Sequence, residues 1–544
     1  MTASTFKIGP MQAIEPATLR AWLGDGDEIA VLDVREVGVH TRDGHILLST
    51  PLPLSHIEIK VATLVPRRTT RIVLYDTGHE GLSARAGQKL QQLGYSNVSM
   101  LRHGTAGWAA AGGELFTGIN VLSKAFGEFV EHAYGTPHLS VEEVKRRRAA
   151  GEDIVVLDSR PLREFQAFSV PGAVDAPGAE LVYRFHEVVK SPATTVVVHC
   201  AGRTRSIIGA QAVINAGVPN KVAALENGTM AWLMAGYALD TGKTLQAPLP
   251  TGAALVEAKA AAARLTKRFD VRTIDMAALE RLRAEAATRS LYVLDVRSPD
   301  EYTAGHLKGA RWAPGGQLVQ AMDEWVATFN SRIVLVDGPD AVRATLTASW
   351  LIQMNVGEVY VLPVDLAYAA TEQDMDRPVL GASVPEVPSL SPADAKSLID
   401  AGTVTVLDVE ASPQYRSGHL PGAHFALRSR LTSDVARLPG TAALLLTSED
   451  AMLAAFAADE LRHATGRAIS ILRGGTAAWR ATGLPLEKGA GRQLHPMEDT
   501  WASPYHAATE AERFAGFRTY LDWEIGLIPQ LERDGTTRFR TFPA

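Results

Sequence analysis

The sequence predicts an α/β fold repeated in four tandem domains, each a mostly parallel sheet flanked by helices. Three observations carry that reading. An apolar, β-branched run ending in aspartate recurs four times, as IAVLD to Asp33, IVVLD to Asp158, LYVLD to Asp295 and VTVLD to Asp408. Such a run, apolar on both faces, is what a strand inside a parallel sheet requires. Strand-like and helix-like stretches then alternate in each copy, as β-α-β units do. The chain of 544 residues is also too long for one core, since domains usually hold about 100–200 residues.

The elements follow in order within a copy. Ser140-Val141-Glu142-Glu143 reads as a capping box at a helix start. Ser391-Pro392 reads as a cap followed by proline at the first helical position. After the first strand come the turns Gly44-His45, Gly305-His306 running to Gly309-Ala310, and Gly418-His419 running to Gly422-Ala423. The second copy has Ser169 before Val170-Pro171-Gly172-Ala173 and lacks the Gly-His pair. A second strand follows in the four copies, RIVLYD, TVVVHC, RIVLVD and AALLLT, and each leads into a helical stretch. A Gly-Thr-x-x-Trp turn closes the copy at Gly104 to Trp108, Gly228 to Trp232 and Gly475 to Trp479, and VLPVDLAYAA, from Val361, has lost it.

Val121–Ala133 and Ala253–Phe269 read as connecting helices. Past residue 490 the repeat stops, and Thr509 to Glu512 caps a last helix. Its apolar stripe of Phe514, Phe517, Leu521, Ile525 and Ile528 is expected to dock on a neighbouring domain, and a subunit contact by the same stripe leaves a homodimer open. The boundaries expected are 1–117, 118–245, 246–383 with a linker helix at its start, 384–490, and a helical tail over 491–544.

Composition narrows the function. The net charge of −6 argues against a broad nucleic-acid surface. The basic run Lys145–Arg148 reads as the solvated face of a short helix. One cysteine excludes an internal disulfide and a multi-thiolate zinc site. The start, MTASTFKIGPMQAIEP, has no apolar stretch of signal-peptide length. No run approaches the ~20 apolar residues that span a bilayer. The expectation is a soluble, cytoplasmic protein with no metal, no cofactor, no nucleic-acid partner and no membrane partner.

The cysteine stands in VVVHCAGRTRS, Val196 to Ser206. Cys200 closes a strand, and the next helix begins near Ser206 and stops at Gly217. Crevices at the carboxyl ends of parallel strands are where ligands bind. A loop entering a helix N-terminus aims backbone amides and the positive end of the helix dipole at one point. A thiolate there gains roughly 0.3–1 kcal/mol from the helix end. A guanidinium about 7 Å away adds roughly 1 kcal/mol. Arg203 and Arg205 follow within the loop. The thiolate is the nucleophile, and the same positive bowl suits an anion. His199 is a secondary candidate as a base. Arg163, beside Glu164, is a secondary candidate as an anion contact.

These features together resemble the rhodanese family. The pieces are the LDxR strands at Leu32 to Arg35, Leu157 to Arg160 and Leu294 to Arg297, the Gly-His-x-x-Gly-Ala turn, the strand-Cys-loop-helix and the Gly-Thr-x-x-Trp close. The resemblance implies four domains with five-stranded sheets. It also implies a thiosulfate sulfurtransferase in which Cys200 takes the outer sulfur of an anionic donor. The sulfur then passes, as a persulfide, to cyanide or a thiol. Ala201, Gly202, Arg203, Thr204 and Arg205 would cradle the sulfur and hold the anion. Arg205 is the fifth residue after the cysteine, whereas related phosphatase and arsenate-reductase domains use a longer Cys-x5-Arg loop. The shorter loop fits sulfur better than a phosphoryl group. CAGRTR is neither CRKGVT nor CGSGVT, the forms familiar in the family, so the loop leaves the donor open. Asp76, Asp337 and Thr447 stand at the cysteine's place in the other copies, which are therefore expected to be inactive. A non-catalytic interaction scaffold, and a phosphatase or arsenate reductase, are the alternative readings.

Overall fold

The computed structural model describes residues 11–366, 371–373, 380–438 and 440–543. Each recurring LDxR-type run forms a strand: Ile29–Asp33, Ile154–Asp158, Leu291–Asp295 and Val404–Asp408. Each pairs in parallel with the second strand of its copy, respectively Arg71–Tyr75, Thr195–His199, Ser331–Asp337 and Ala443–Thr447. Among the described residues three domain sheets have five strands and the fourth domain's has six, while His306–Leu307 and Thr371–Glu372 form a separate two-stranded sheet. In the second domain the order runs His138–Leu139, Val222–Leu225, Thr195–His199, Ile154–Asp158, Val174–Asp175. The strand that leads to Cys200 is therefore central. The fourth sheet gains its extra edge from Arg492–Gln493, which pairs with His424–Phe425. The segment after residue 490 is thus not purely helical.

The motif residues hold the copies together. Arg35, Arg160 and Arg297 each fork onto the aspartate two residues earlier, at 2.5–3.2 Å. The same guanidiniums donate to the carbonyls of Gly44, Phe168 and Gly305, which ties strand to turn. The turn histidines His45, His306 and His419 are buried and stack on His40, Tyr302 and Tyr415, with ring centres 3.7–3.8 Å apart. Trp108, Trp232 and Trp479 are buried, and each indole donates to a carbonyl six residues on. Of VLPVDLAYAA, the first residues complete the strand Gly357–Pro363, and residues 367–370 lie outside the described residues.

The fourth copy breaks the pattern, with Glu410 where the others carry arginine. Burial raises the Asp408 carboxyl from 3.8 to about 7, with Glu410 and Glu449 adding to the rise against a backbone hydrogen bond. In the first copy the opposite holds: Arg35 and His40 overcome burial and keep Asp33 low. A carboxyl whose folded pKa is raised favours folding below its unfolded value and opposes it above the folded one. We therefore expect domain four to lose stability as pH rises from about 4 to about 7. Glu410→Arg should flatten that dependence and add roughly 1–3 kcal/mol at pH 8. Hydrogen exchange in Val404–Asp408 at pH 5 and pH 8 measures this, and equal pH slopes in the two proteins would refute it.

Two capping expectations resolve differently. Thr509 and Glu512 make the full reciprocal box on the helix Glu510–Ile525. Ser140 accepts from the Glu143 amide, but the Glu143 carboxylate turns to Arg146 and Arg147, so only half the box forms. Two cations one turn along outcompete a single backbone amide.

The connecting helices are Val121–Tyr134 and Gly252–Phe269. The second buries Ala258, Ala261, Leu265 and Phe269 between domains two and three. Domain one meets domain four through Arg428, which forks onto Glu58 at 2.8 Å. It meets domain three through Glu28, which accepts from Ser290 and Arg289. The chain after residue 490 binds all of these together. It leaves domain four and returns to domain two, where Phe517 and Leu521 pack on Met230. It continues through the helix Leu527–Asp534, which packs on Val121–Tyr134. Phe539 then meets Phe126, and Phe542 meets Phe269. The expected docking stripe is real except at Ile525, which is 52% exposed. The helix ends there, and a second helix turns the next apolar residues elsewhere.

Candidate active site

The strand Thr195–His199 and the helix Thr204–Asn215 meet at Cys200. The helix starts two residues earlier than the sequence indicated. Behind the loop lies the Gly-Thr-x-x-Trp helix, Gly228–Met234. Its first amides take the loop's carbonyls: Thr229 donates to Cys200 and Met230 to Ala201, both at 3.0 Å. This pulls the carbonyls away from the sulfur. Among the described residues the amides of Ala201, Gly202 and Arg203 donate to no carbonyl, and the first amides of a helix have no intrahelical acceptor. The loop therefore presents donors. Gly228 sits at φ 53°, and a Cβ there would lie 2.3 Å from the Cys200 carbonyl, so only glycine lets the two elements touch.

Cys200 is only 2% exposed. Its sulfur lies 3.4 Å from the Ser206 hydroxyl, which itself donates to the Arg203 carbonyl at 2.7 Å. It borders a cavity of about 350 Å³. The walls come from the loop, from Asn120 and Lys124, from Gln317 of domain three, and from Trp501, Tyr505, Tyr520 and Glu524 of the C-terminal segment. Tyr505 shares a 2.8 Å hydrogen bond with Thr229 and donates to the Ala201 carbonyl at 3.3 Å. A charge on Cys200 is felt at Arg205, Tyr505 and Tyr520.

The sequence candidates separate here. Ala201, Gly202, Thr204 and Arg205 line the cavity beside the sulfur. Arg205 faces it while its guanidinium is paired with Glu164 at 2.8 and 2.9 Å, and Gln317 lies 3.3 Å away. Burial works against that guanidinium's charge, but Glu164, and after it Cys200, hold it firmly protonated. Arg203 belongs to the loop and its wall, but its guanidinium is taken up by the connecting helix. It forks onto Glu128 at 2.7 Å and also pairs with Glu131. These acids come from the connecting helix, whose sequence gave no sign of facing the loop. Arg203 is therefore a brace for the loop rather than a free anion contact.

His199 does not border the cavity. Its ring is fully buried below the loop, 3.3 Å from Asp158 on one side and 3.3 Å from the Cys200 carbonyl on the other. Burial lowers its pKa to about 4, so it stays neutral near pH 7. Arg163 is exposed on the far side of its helix, and it is the neighbouring Glu164 that reaches the site. Lys124, Gln317, Tyr505, Tyr520 and Glu524 were not among the sequence candidates. They lie 76 to 324 residues from Cys200 in the chain, and no local spacing marks them.

In the other copies the loop is self-occupied. Asp76 accepts from the amides of Gly78 and Ser83 at 2.7 and 2.9 Å. Asp337 accepts from Gly338 and Ala344 at 2.8 and 3.0 Å and pairs with Arg343. Thr447 bonds Thr476 at 3.0 Å.

A parallel sheet carrying a thiol between a strand end and a helix start defines a class, and the comparisons agree. Residues 15–111, 140–235, 276–365 and 391–482 each match the rhodanese-like domain, so the chain belongs to the rhodanese family. It is similar over 98% of its length to the crystal structure of a thiosulfate sulfurtransferase from Pseudomonas aeruginosa, with 43% identity, all of that chain covered and a TM-score of 0.92. It is also 36% identical over 101 residues to the HTH-type transcriptional regulator Rv0324 of Mycobacterium tuberculosis. That match covers 18% of this chain and 43% of the regulator, so the chain spans less than half the length of that curated relative. Among the described residues no helix is long and apolar enough to cross a membrane.

Proposed function

We propose that the protein is a sulfurtransferase that carries a sulfane sulfur on Cys200, with thiosulfate as the donor. One observation carries the reading: the chain's single thiol stands at a loop whose amides take no backbone acceptor among the described residues, and with Arg205 it borders a cavity of about 350 Å³. The Cys200 thiolate attacks the outer sulfur of thiosulfate, and the S–S bond to the sulfonate breaks. Sulfite leaves with the electron pair, and Cys200 holds a persulfide. Loop amides and Arg205 stabilise the charge on the outer sulfur and on the departing sulfite. Cyanide or a thiolate then attacks the outer sulfur and releases Cys200 as thiolate, which is ping-pong chemistry. No second cysteine exists to resolve the persulfide internally.

Domains one, three and four act as support in this reading, because Asp76 and Asp337 spend on themselves the donors a sulfur would need. The 491–544 segment roofs the site from the far end of the chain. Intact-mass measurement after incubation with thiosulfate tests the proposal. The expected result is a gain of one sulfur, about 32 Da, with an equal amount of sulfite in solution. An unchanged mass with several donors would return the scaffold reading, and hydrolysis of an aryl phosphate would return the phosphatase one.

A further inference from the structure

One wall of the cavity carries two opposite charges that the donor does not need. Lys124 and Glu524 lie 3.6 Å apart, with side chains 6% and 1% exposed. Glu524 Oε1 accepts from the Thr204 hydroxyl at 3.0 Å and from the Tyr520 hydroxyl at 3.1 Å. The Tyr520 oxygen accepts in turn from Lys124 Nζ at 2.6 Å. Glu524 Oε2 has no partner among the described residues. It sits over Gly202, where even a Cβ would come within 3.3 Å of it, so a buried, unpartnered oxygen lies directly against the loop. Leaving a buried carboxylate oxygen without a donor is costly, more so than for a neutral group. The Lys124 ammonium has three N–H groups, and among the described residues the Tyr520 bond and the Glu524 pairing draw on them.

The wall thus holds an unpartnered carboxylate oxygen next to a cation with a donor to spare. A lone cation would be repelled by Lys124, and a lone anion by Glu524. A molecule with an ammonium and a carboxylate on one carbon satisfies both. The near-complete burial of Cys200 also excludes a thiol fixed on the surface of a folded protein. We propose that Glu524 and Lys124 bind the α-amino-acid head of a low-molecular-weight thiol, which is the sulfur acceptor. The inference rests on the sulfurtransferase reading. The acceptor enters as a thiolate, having given its proton to solvent. It attacks the outer sulfur of the Cys200 persulfide, the S–S bond to Cys200 breaks, and the acceptor leaves as a persulfide while Cys200 returns as thiolate.

The test uses the full-length protein, loaded with thiosulfate until the added sulfur is seen by mass. Its discharge is then followed with L-cysteine, glutathione, cysteamine and 3-mercaptopropionate at equal thiolate concentration. Cysteine or glutathione, which both carry the head group, should discharge it at least roughly tenfold faster than the two thiols with half of it. The comparison between cysteine and glutathione identifies which kind of molecule supplies the head. Glu524→Gln, and independently Lys124→Gln, should reduce the advantage to less than about threefold. Equal discharge by the four thiols, or an advantage that survives in both variants, would overturn the inference alone. Absence of any loading would instead sink the sulfurtransferase reading together with it. The unmodified protein's own series decides the matter even if a variant fails to fold.

Discussion

Cys200→Ser is expected to abolish sulfur loading and to lower turnover by roughly 10⁴-fold or more, as removal of a covalent nucleophile does. The reason is chemical rather than structural. A hydroxyl is a weak nucleophile without a base, and the neighbouring His199 is buried below the loop and outside the cavity. An oxygen also cannot hold a transferable sulfane sulfur. The substitution removes little volume at a buried position whose side-chain partner among the described residues is Ser206 at 3.4 Å. Unfolding should therefore shift by no more than about 1 kcal/mol. Intact mass after thiosulfate treatment and a thermal melt of the same sample check both halves. A serine variant that still gains sulfur would mean that the sulfur sits elsewhere.

The second large effect is at Arg205. It is the one cation of the loop whose side chain faces the sulfur, and its pairing with Glu164 makes its removal worse than neutral. Arg205→Met deletes the donor-binding charge and leaves Glu164 uncompensated beside an incoming dianion. Burial alone would raise that carboxyl, and Arg205 is what lowers it. Two charge-assisted hydrogen bonds at about 1.5–3 kcal/mol each make a loss of roughly 10²- to 10⁴-fold in kcat/KM for thiosulfate the expected outcome. The double variant Arg205→Met with Glu164→Gln should recover part of it, because the stranded negative charge is gone. The cycle of the two single variants and the double one measures that coupling. Strict additivity would show that Glu164 does not act through Arg205. The same substitution at Arg203 should act differently. It loosens the brace to Glu128 and Glu131, so stability should fall with little change in thiosulfate KM.

Much of this site could be read along the chain. Cys200 and its loop are contiguous, and their place at a strand end followed from β-branched residues giving way to a glycine and then a helix. The repeat was legible because the LDxR pair, the Gly-His turn and the Gly-Thr-x-x-Trp close are local devices. The arginine forks onto an aspartate two residues back and the indole onto a carbonyl six residues on, so each leaves a fixed spacing in the sequence.

What the chain could not show is where side chains from different copies meet. Arg203 and Arg205 are two residues apart and look equivalent in the sequence. The helix Thr204–Asn215 turns Arg205 to the cavity, while two glutamates of the connecting helix draw Arg203 away from it. Glu524 reaches Gly202 only because the C-terminal segment folds back over domain two. Short-range pattern set the fold of each domain and singled out the chain's one thiol, since both are local properties of the sequence. Only the tertiary structure decided which charges surround that sulfur and how far it is sealed from water, because burial and pairing over hundreds of residues depend on how the domains pack.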